Sequence, residues 1–158
     1  MTDRVRDDEV IYRRVPARLQ WCIPGDPVQV TIDAFSPQKS KKDRPGDIDG
    51  LSVTRAKSAL DPSFATPIEV AGGGPSPAGY FVLELRVSDL KELGLSVIPD
   101  PKVDNPGHSL ISEINEGVRK LPTTIALQNS LVEIVQAIHG RFARNAKGEL
   151  IYADYPPD

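Results

Sequence analysis

The chain has 158 residues, a formal net charge of −3, and an ordinary balance of 39% hydrophobic and 26% charged residues. That length suits one domain with a real core, and that charge offers no field to draw in nucleic acid or anionic lipid. The single cysteine, Cys22, excludes a disulfide framework within the chain, and the 15 prolines, clustered between apolar runs, argue against a helical bundle.

The N-terminal stretch MTDRVRDDEV is charged from its third residue and lacks the apolar core of a signal peptide. Residues 1–9 are polar and expected to be flexible. No apolar run approaches the length that spans a bilayer. The expectation is a cytoplasmic protein with no membrane association.

Val10 to Val15 reads as a first strand, ended by Pro16. Alternation puts Ile11, Arg13 and Val15 on its inward face and Val10, Tyr12 and Arg14 on the other. After the Pro24-Gly25 and Asp26-Pro27 turn signals, Val28, Val30 and Ile32 alternate with polar residues, which predicts a half-buried strand closed by Phe35. Residues 36–50 read as a polar loop that delivers Leu51 to Val53 into the core. Thr54 is a candidate cap for a helix from Arg55 to Leu60. Residues 61–79, with four prolines and Gly72-Gly73-Gly74, read as a long loop.

Tyr80 to Arg86 is a predicted strand with Phe81, Leu83 and Leu85 inward. Ser88 is a candidate cap for a short helix that Gly94 ends. Strands are expected from Leu95 to Ile98 and from Ser109 to Ile114. Leu127, Leu131, Ile134, Val135, Ile138 and Phe142 recur at helical spacing. They predict one long helix from Thr124 to about Ala143, with His139 near its C-terminal end. Ala146 to Gly148 reads as a turn, Glu149 to Tyr152 as an edge strand, and 154–158 as an extended tail.

No catalytic motif is complete. Setting Gly50 at the sixth place of a calcium loop leaves Pro45 and Ala56 where side-chain ligands are needed. Asp47 and Asp49 therefore belong to a turn in which Gly50 supplies positive φ. The triple glycine lacks the Lys-Ser/Thr pair of a phosphate loop, and no His or Cys spacing suits zinc. Arg13, partly buried on its strand or pointed into a cleft, needs a partner. That partner is Asp33 or Glu84, or an anionic ligand clamped by the guanidinium fork. His108, after Pro106-Gly107, is a candidate general base or an anchor for its loop. Cys22 reads as a small buried hydrophobe.

The order IYRRVP, AFSP, DGLSVTRA, YFVLELRVSDLKELGLSVIPDP and NPGHSLISEIN resembles a group of small uncharacterised bacterial proteins. The resemblance covers about residues 10–116 and brings no activity with it. It marks Tyr12, Arg13, Asp49, Gly50, Leu51, Ser52, Val53 and His108 as pattern-defining. In layout alone, Arg13, Ser52 and His108 or Glu113 are similar to the order of site residues in small ADP-ribosyltransferase-like domains.

The sequence thus predicts an α+β domain over 10–153: a curved, mostly antiparallel sheet packed by one long C-terminal helix. Its candidate site is a cleft with Arg13, Asp49, Ser52 and His108, joined by Tyr12. His108 and Ser52 would be the catalytic pair; Tyr12, Arg13 and Asp49 would bind. Two functions are expected from this reading. One is a non-enzymatic accessory module for an unidentified protein partner, with no cofactor, metal or nucleic acid. The other is a small nucleotide- or NAD-binding enzyme with Arg13 as clamp and His108 as acid/base.

Overall fold

The computed structural model describes residues 4–16, 20–25, 28–36, 50–59, 80–102, 106–115, 118–120, 124–144 and 150–152. In chain order the strands are Val10–Pro16 (β1), Cys22–Ile23 (β2), Gln29–Val30 (β3), Leu51–Arg55 (β4), Tyr80–Arg86 (β5), Ser96–Pro99 (β6), His108–Asn115 (β7), Val118–Lys120 (β8), Ala137–Arg144 (β9) and Leu150–Tyr152 (β10). The helices are Ala56–Ala59 (α1), Val87–Glu92 (α2) and Ile125–Glu133 (α3), with a 3-10 turn at Ile32–Phe35. The fold is mixed α+β.

The β-branched and aromatic residues of β1 and β5 suit a pleated surface, and these two strands form the middle of the sheet. The order is β10-β9-β5-β1-β4-β7-β6, with β8 also on β7, and every pairing is antiparallel. β2 and β3 make a separate ribbon.

Register sorts the side chains onto two faces. Ile11, Arg13 and Val15 lie beside Leu85, Leu83 and Phe81. With Leu51, Val53 and Ile111 they build the main core, covered by Phe35 of the 3-10 turn and Leu131 of α3. The second face carries Val10, Tyr12 and Val82, with Ala56 packed on them.

α3 is nine residues long, not twenty. Thr124 caps it as expected, its hydroxyl accepting from the Leu127 N–H at 3.3 Å. The helix stops at Ile134, the Gln136 N–H donates to the Glu84 carbonyl at 2.8 Å, and the chain becomes β9. Ile134, Val135 and Ile138 are β-branched and Gly140 is a poor helix former, so pairing with β5 overrides the helical spacing. The pairings do not support a strongly curved sheet either. They run in step except for one shift between Tyr80 and Phe81.

Three local expectations are also corrected. Thr31 caps the 3-10 turn, its hydroxyl accepting from the Asp33 N–H, so the strand predicted through Ile32 ends at Val30. Thr54 and Arg55 stay in β4 because they pair with Tyr12 and Ile11. Helix α2 begins at Val87, and the Glu9 and Asp7 carbonyls take the first N–H groups, those of Val87 and Ser88. Ser88 is therefore not the cap. Gly94 has φ of 80° and closes α2 as expected.

Residues 4–9 fall in the segment expected to be flexible, yet they are tied down. Val5 is buried, Asp7 pairs with Lys91, and Glu9 pairs with Arg55. The loop readings for 37–49 and 61–79, the 146–148 turn and the 154–158 tail lie outside the described residues.

Candidate functional site

Arg13 points into the core, as its place between Ile11 and Val15 requires, and is 2% exposed. Its Nε donates to the Ala34 carbonyl at 2.8 Å, one terminal nitrogen to the Ser52 carbonyl at 2.9 Å, and the other to the Ser36 carbonyl at 3.4 Å. The guanidinium carbon lies 6.0 Å from the Phe35 ring centroid. A fork spent on main-chain carbonyls is a staple, not a clamp held out to a ligand. The carboxylates expected as its partners are engaged elsewhere. Glu84 binds His139, and Asp33 accepts from the Gln20 side chain.

The second face holds most of the polar candidates. Cross-strand register puts Glu84 beside Tyr12, Tyr12 beside Thr54, and Thr54 beside His108, a row across four strands. His139, missed as a helix-end residue, lies on β9 beside Val82. Its Nε2 is 3.0 Å from Glu84 Oε1, and its ring meets Tyr12 edge-on at 6.2 Å between centroids. Both members of this pair are part-exposed, at 33% and 28%. Arg14 lies over the Tyr80 ring at 5.4 Å on the same face.

His108 is only partly exposed and serves its own loop. Its Nδ1 is 2.9 Å from the Asp100 carbonyl and 3.1 Å from Asp100 Oδ2, while the Asp100 N–H donates to the His108 carbonyl. Ser52 pairs with Leu110, and its carbonyl serves Arg13. Thus Tyr12, Ser52 and His108 share one face of the sheet, and Arg13 is on the other. Asp49 lies outside the described residues. The expected convergence of Arg13, Ser52 and His108 does not occur.

The cavity is lined by a different set of residues. It measures about 570 Å³ and opens between the β2–β3 ribbon, the end of α3 and the start of β9. Val28, Val30, Phe81, Val132, Val135 and Ile138 supply its apolar lining, and Gln29 and Gln136 its polar side chains. No charged residue lines it among the described residues. The size and lining suit a binding site. Sequence reading placed Val28 and Val30 on a half-buried strand and Val135 and Ile138 on the apolar face of a helix, not at a cavity. The available signal was Ile134 to Ile138, an apolar run that stays only half-buried around exposed Gln136.

A further ion pair escaped notice. Arg55 is buried in β4, and Glu9 grips it through both carboxylate oxygens, at 2.8 and 2.7 Å. Burial works to raise the Glu9 pKa. The hydrogen bonds from Arg55 and the Arg6 N–H, with the Arg55 charge, outweigh it and hold the carboxyl below its ordinary value. Cys22 is fully buried, and burial pushes its thiol up to about 12, so it is inert as a nucleophile.

No family model matches the chain, and no curated protein or solved structure is significantly similar to it. Among the described residues, no group of His, Cys, Asp and Glu is arranged to hold a metal ion. No helix there is long and apolar enough to cross a membrane.

Proposed function

We propose that this chain is a non-enzymatic accessory module that binds a partner protein, and that the cavity beside the β2–β3 ribbon is where the partner docks. The observation that carries the reading is the lining. Half-buried Val28, Val132, Val135 and Ile138 border an opening of about 570 Å³ with no charged side chain among the described residues. Apolar side chains left beside open space gain by burial against a partner. The engagement of Arg13 with carbonyls supports the same reading, since it removes the anion clamp that the enzyme alternative required.

A photo-crosslinking residue at Gln136, on the rim, tests this in lysate from the source cells. The expected result is a discrete protein adduct from Gln136 that disappears in Val135→Asp. The same reagent at Lys57, exposed on α1, should give none. Equal labelling from both positions, or none from either, would sink the reading.

One observation favours a small enzyme, with His139 in place of the Arg13 and His108 expected from sequence. The Glu84–His139 hydrogen bond, with Tyr12 alongside, is the arrangement that orients an imidazole for proton transfer. A thermal-shift panel of nucleotides, NAD and divalent cations tests it. A melting-temperature rise that His139→Ala abolishes and His108→Ala leaves intact would favour a small-molecule enzyme.

A further inference from the structure

Residues 4–9 lie against β4 and α2, just before the sheet register begins at Val10. One carboxylate gathers this segment. Glu9 accepts from the Arg55 Nε at 2.8 Å and from a terminal Arg55 nitrogen at 2.7 Å, and its Oε2 also accepts from the Arg6 N–H at 2.6 Å. The Glu9 N–H donates back to the Arg6 carbonyl at 3.1 Å, which closes a turn over residues 6–9. The terminal Arg55 nitrogen also donates to the Arg4 carbonyl at 3.2 Å. Arg4 and Arg6 are thus both held through the Glu9–Arg55 pair.

The other attachments are of a different kind. The Glu9 and Asp7 carbonyls accept from the Val87 and Ser88 N–H groups, each at 3.1 Å. Val5 is buried, and Asp7 pairs with Lys91 where both are exposed. β1, by contrast, is in register with β5 along its whole length, from Val10 beside Arg86 to Pro16 beside Tyr80. A segment fastened by an ion pair, a few main-chain bonds and one valine opens at a smaller free-energy cost than such a sheet.

We propose that residues 4–9 are an acid-released strap: protonation of Glu9 lets the segment lift from β4 and α2 while the sheet stays folded. Release takes the carboxylate off Arg55 and the carbonyls off the first two N–H groups of α2. The step follows from the chemistry of the grip. A protonated carboxyl carries an O–H where an acceptor stood, and it loses the Coulomb attraction of Arg55. The positive groups acting on Glu9 are Arg55 of β4 and Lys57 of α1. On the segment itself Arg6 faces Asp8 at 3.5 Å, and α2 presents Lys91 to Asp7. The closed strap holds the Glu9 carboxyl below its ordinary value of 4.5, so opening takes up a proton in the window below that value and falling pH drives it. One proton limits the change to about tenfold per pH unit.

The test is amide hydrogen exchange on the full chain from pH 6 to pH 3, followed by NMR and read as protection relative to an unstructured peptide at each pH. Val87 and Ser88 report the strap, and Leu83 reports the sheet. Below pH 4.5 the protection of Val87 and Ser88 should fall by up to about tenfold per pH unit, with Leu83 unchanged. Glu9→Gln should show the low protection already at pH 6 and lack the acid step. Asp7→Asn, which removes the neighbouring carboxylate, should keep the step.

Loss of protection at Leu83 in parallel with Val87 and Ser88 would overturn the proposal, because the segment would then open only with the sheet. An acid step that survives in Glu9→Gln would also overturn it, as would one that disappears in Asp7→Asn. If Glu9→Gln does not fold, the three wild-type amides and Asp7→Asn still decide.

Discussion

Three main-chain carbonyls converge on one guanidinium at Arg13, and they come from separate parts of the chain. Ala34 lies in the 3-10 turn, Ser36 directly follows it, and Ser52 is in β4. The side chain thus ties the turn to the sheet across the core. Arg13→Met keeps the apolar stem and removes the donors, leaving buried carbonyls without them, and should cost about 3 kcal/mol. Arg13→Lys keeps the charge but loses the fork and should cost about 2 kcal/mol. Urea unfolding measures both, and a loss under about 1 kcal/mol for Arg13→Met would show that the carbonyls find other donors. Gly50 has a different constraint. It lacks the positive φ expected from sequence and is needed for close approach. A Cβ there would meet the Ile111 carbonyl oxygen at 2.7 Å and Leu110 Cβ at 2.9 Å. Gly50→Ala gains about 0.5 kcal/mol by restricting the unfolded chain. It loses more, about 1–3 kcal/mol, by forcing β4 and β7 apart. The net effect is a lower melting temperature, readable by calorimetry. Inward placement of Arg13 was legible from its neighbours Ile11 and Val15. Its partners were not, because main-chain carbonyls leave no mark in a sequence.

Elements show the same division between local and distant causes. β1, β5 and Gly94 were legible because alternation and a helix-ending glycine are local signals. β9 was not, because Ile134 to Phe142 fits a helical spacing as well as a strand, and β5 decides between them. The misreading carried a site residue with it. As a helix end, His139 has a dipole for company; as a strand residue it meets Glu84 and Tyr12. The N-terminal segment is a second case. Its polar composition suggests fraying, but the Glu9 and Asp7 carbonyls complete the start of α2, and Val5 is buried. Removing residues 1–8 should cost about 2–3 kcal/mol, from one buried valine and one lost helix-end acceptor. Hydrogen exchange at Ser88 should accelerate more than at Leu83 in the sheet centre. Uniform acceleration would mean that the segment acts on global stability alone.

For the whole molecule, the Glu9–Arg55 pair is one route by which acid acts on the fold. It joins the N-terminal segment to β4, with the Arg55 side chain 5% exposed and that of Glu9 11% exposed. Arg55 also donates to the Arg4 carbonyl at 3.2 Å, and its N–H to the Gly107 carbonyl. Because the folded state holds the Glu9 carboxyl below its ordinary value of 4.5, the unfolded chain binds more protons than the folded one in the window below that value. The stabilisation is therefore complete above 4.5 and is lost as pH falls through the lowered folded value. Asp7, lowered chiefly by its hydrogen bond from Lys91, acts in the same direction, but it is exposed and adds little. Melting temperature measured from pH 7 to pH 3 should be flat above about pH 5 and fall below it. Glu9→Gln should be less stable at pH 7, because it removes the carboxylate that grips buried Arg55 through two oxygens. It should also lose part of the slope below pH 5. If the variant is destabilised yet keeps the full acid slope, other carboxylates set the acid limit, and the segment is held by packing of Val5 and its main-chain bonds.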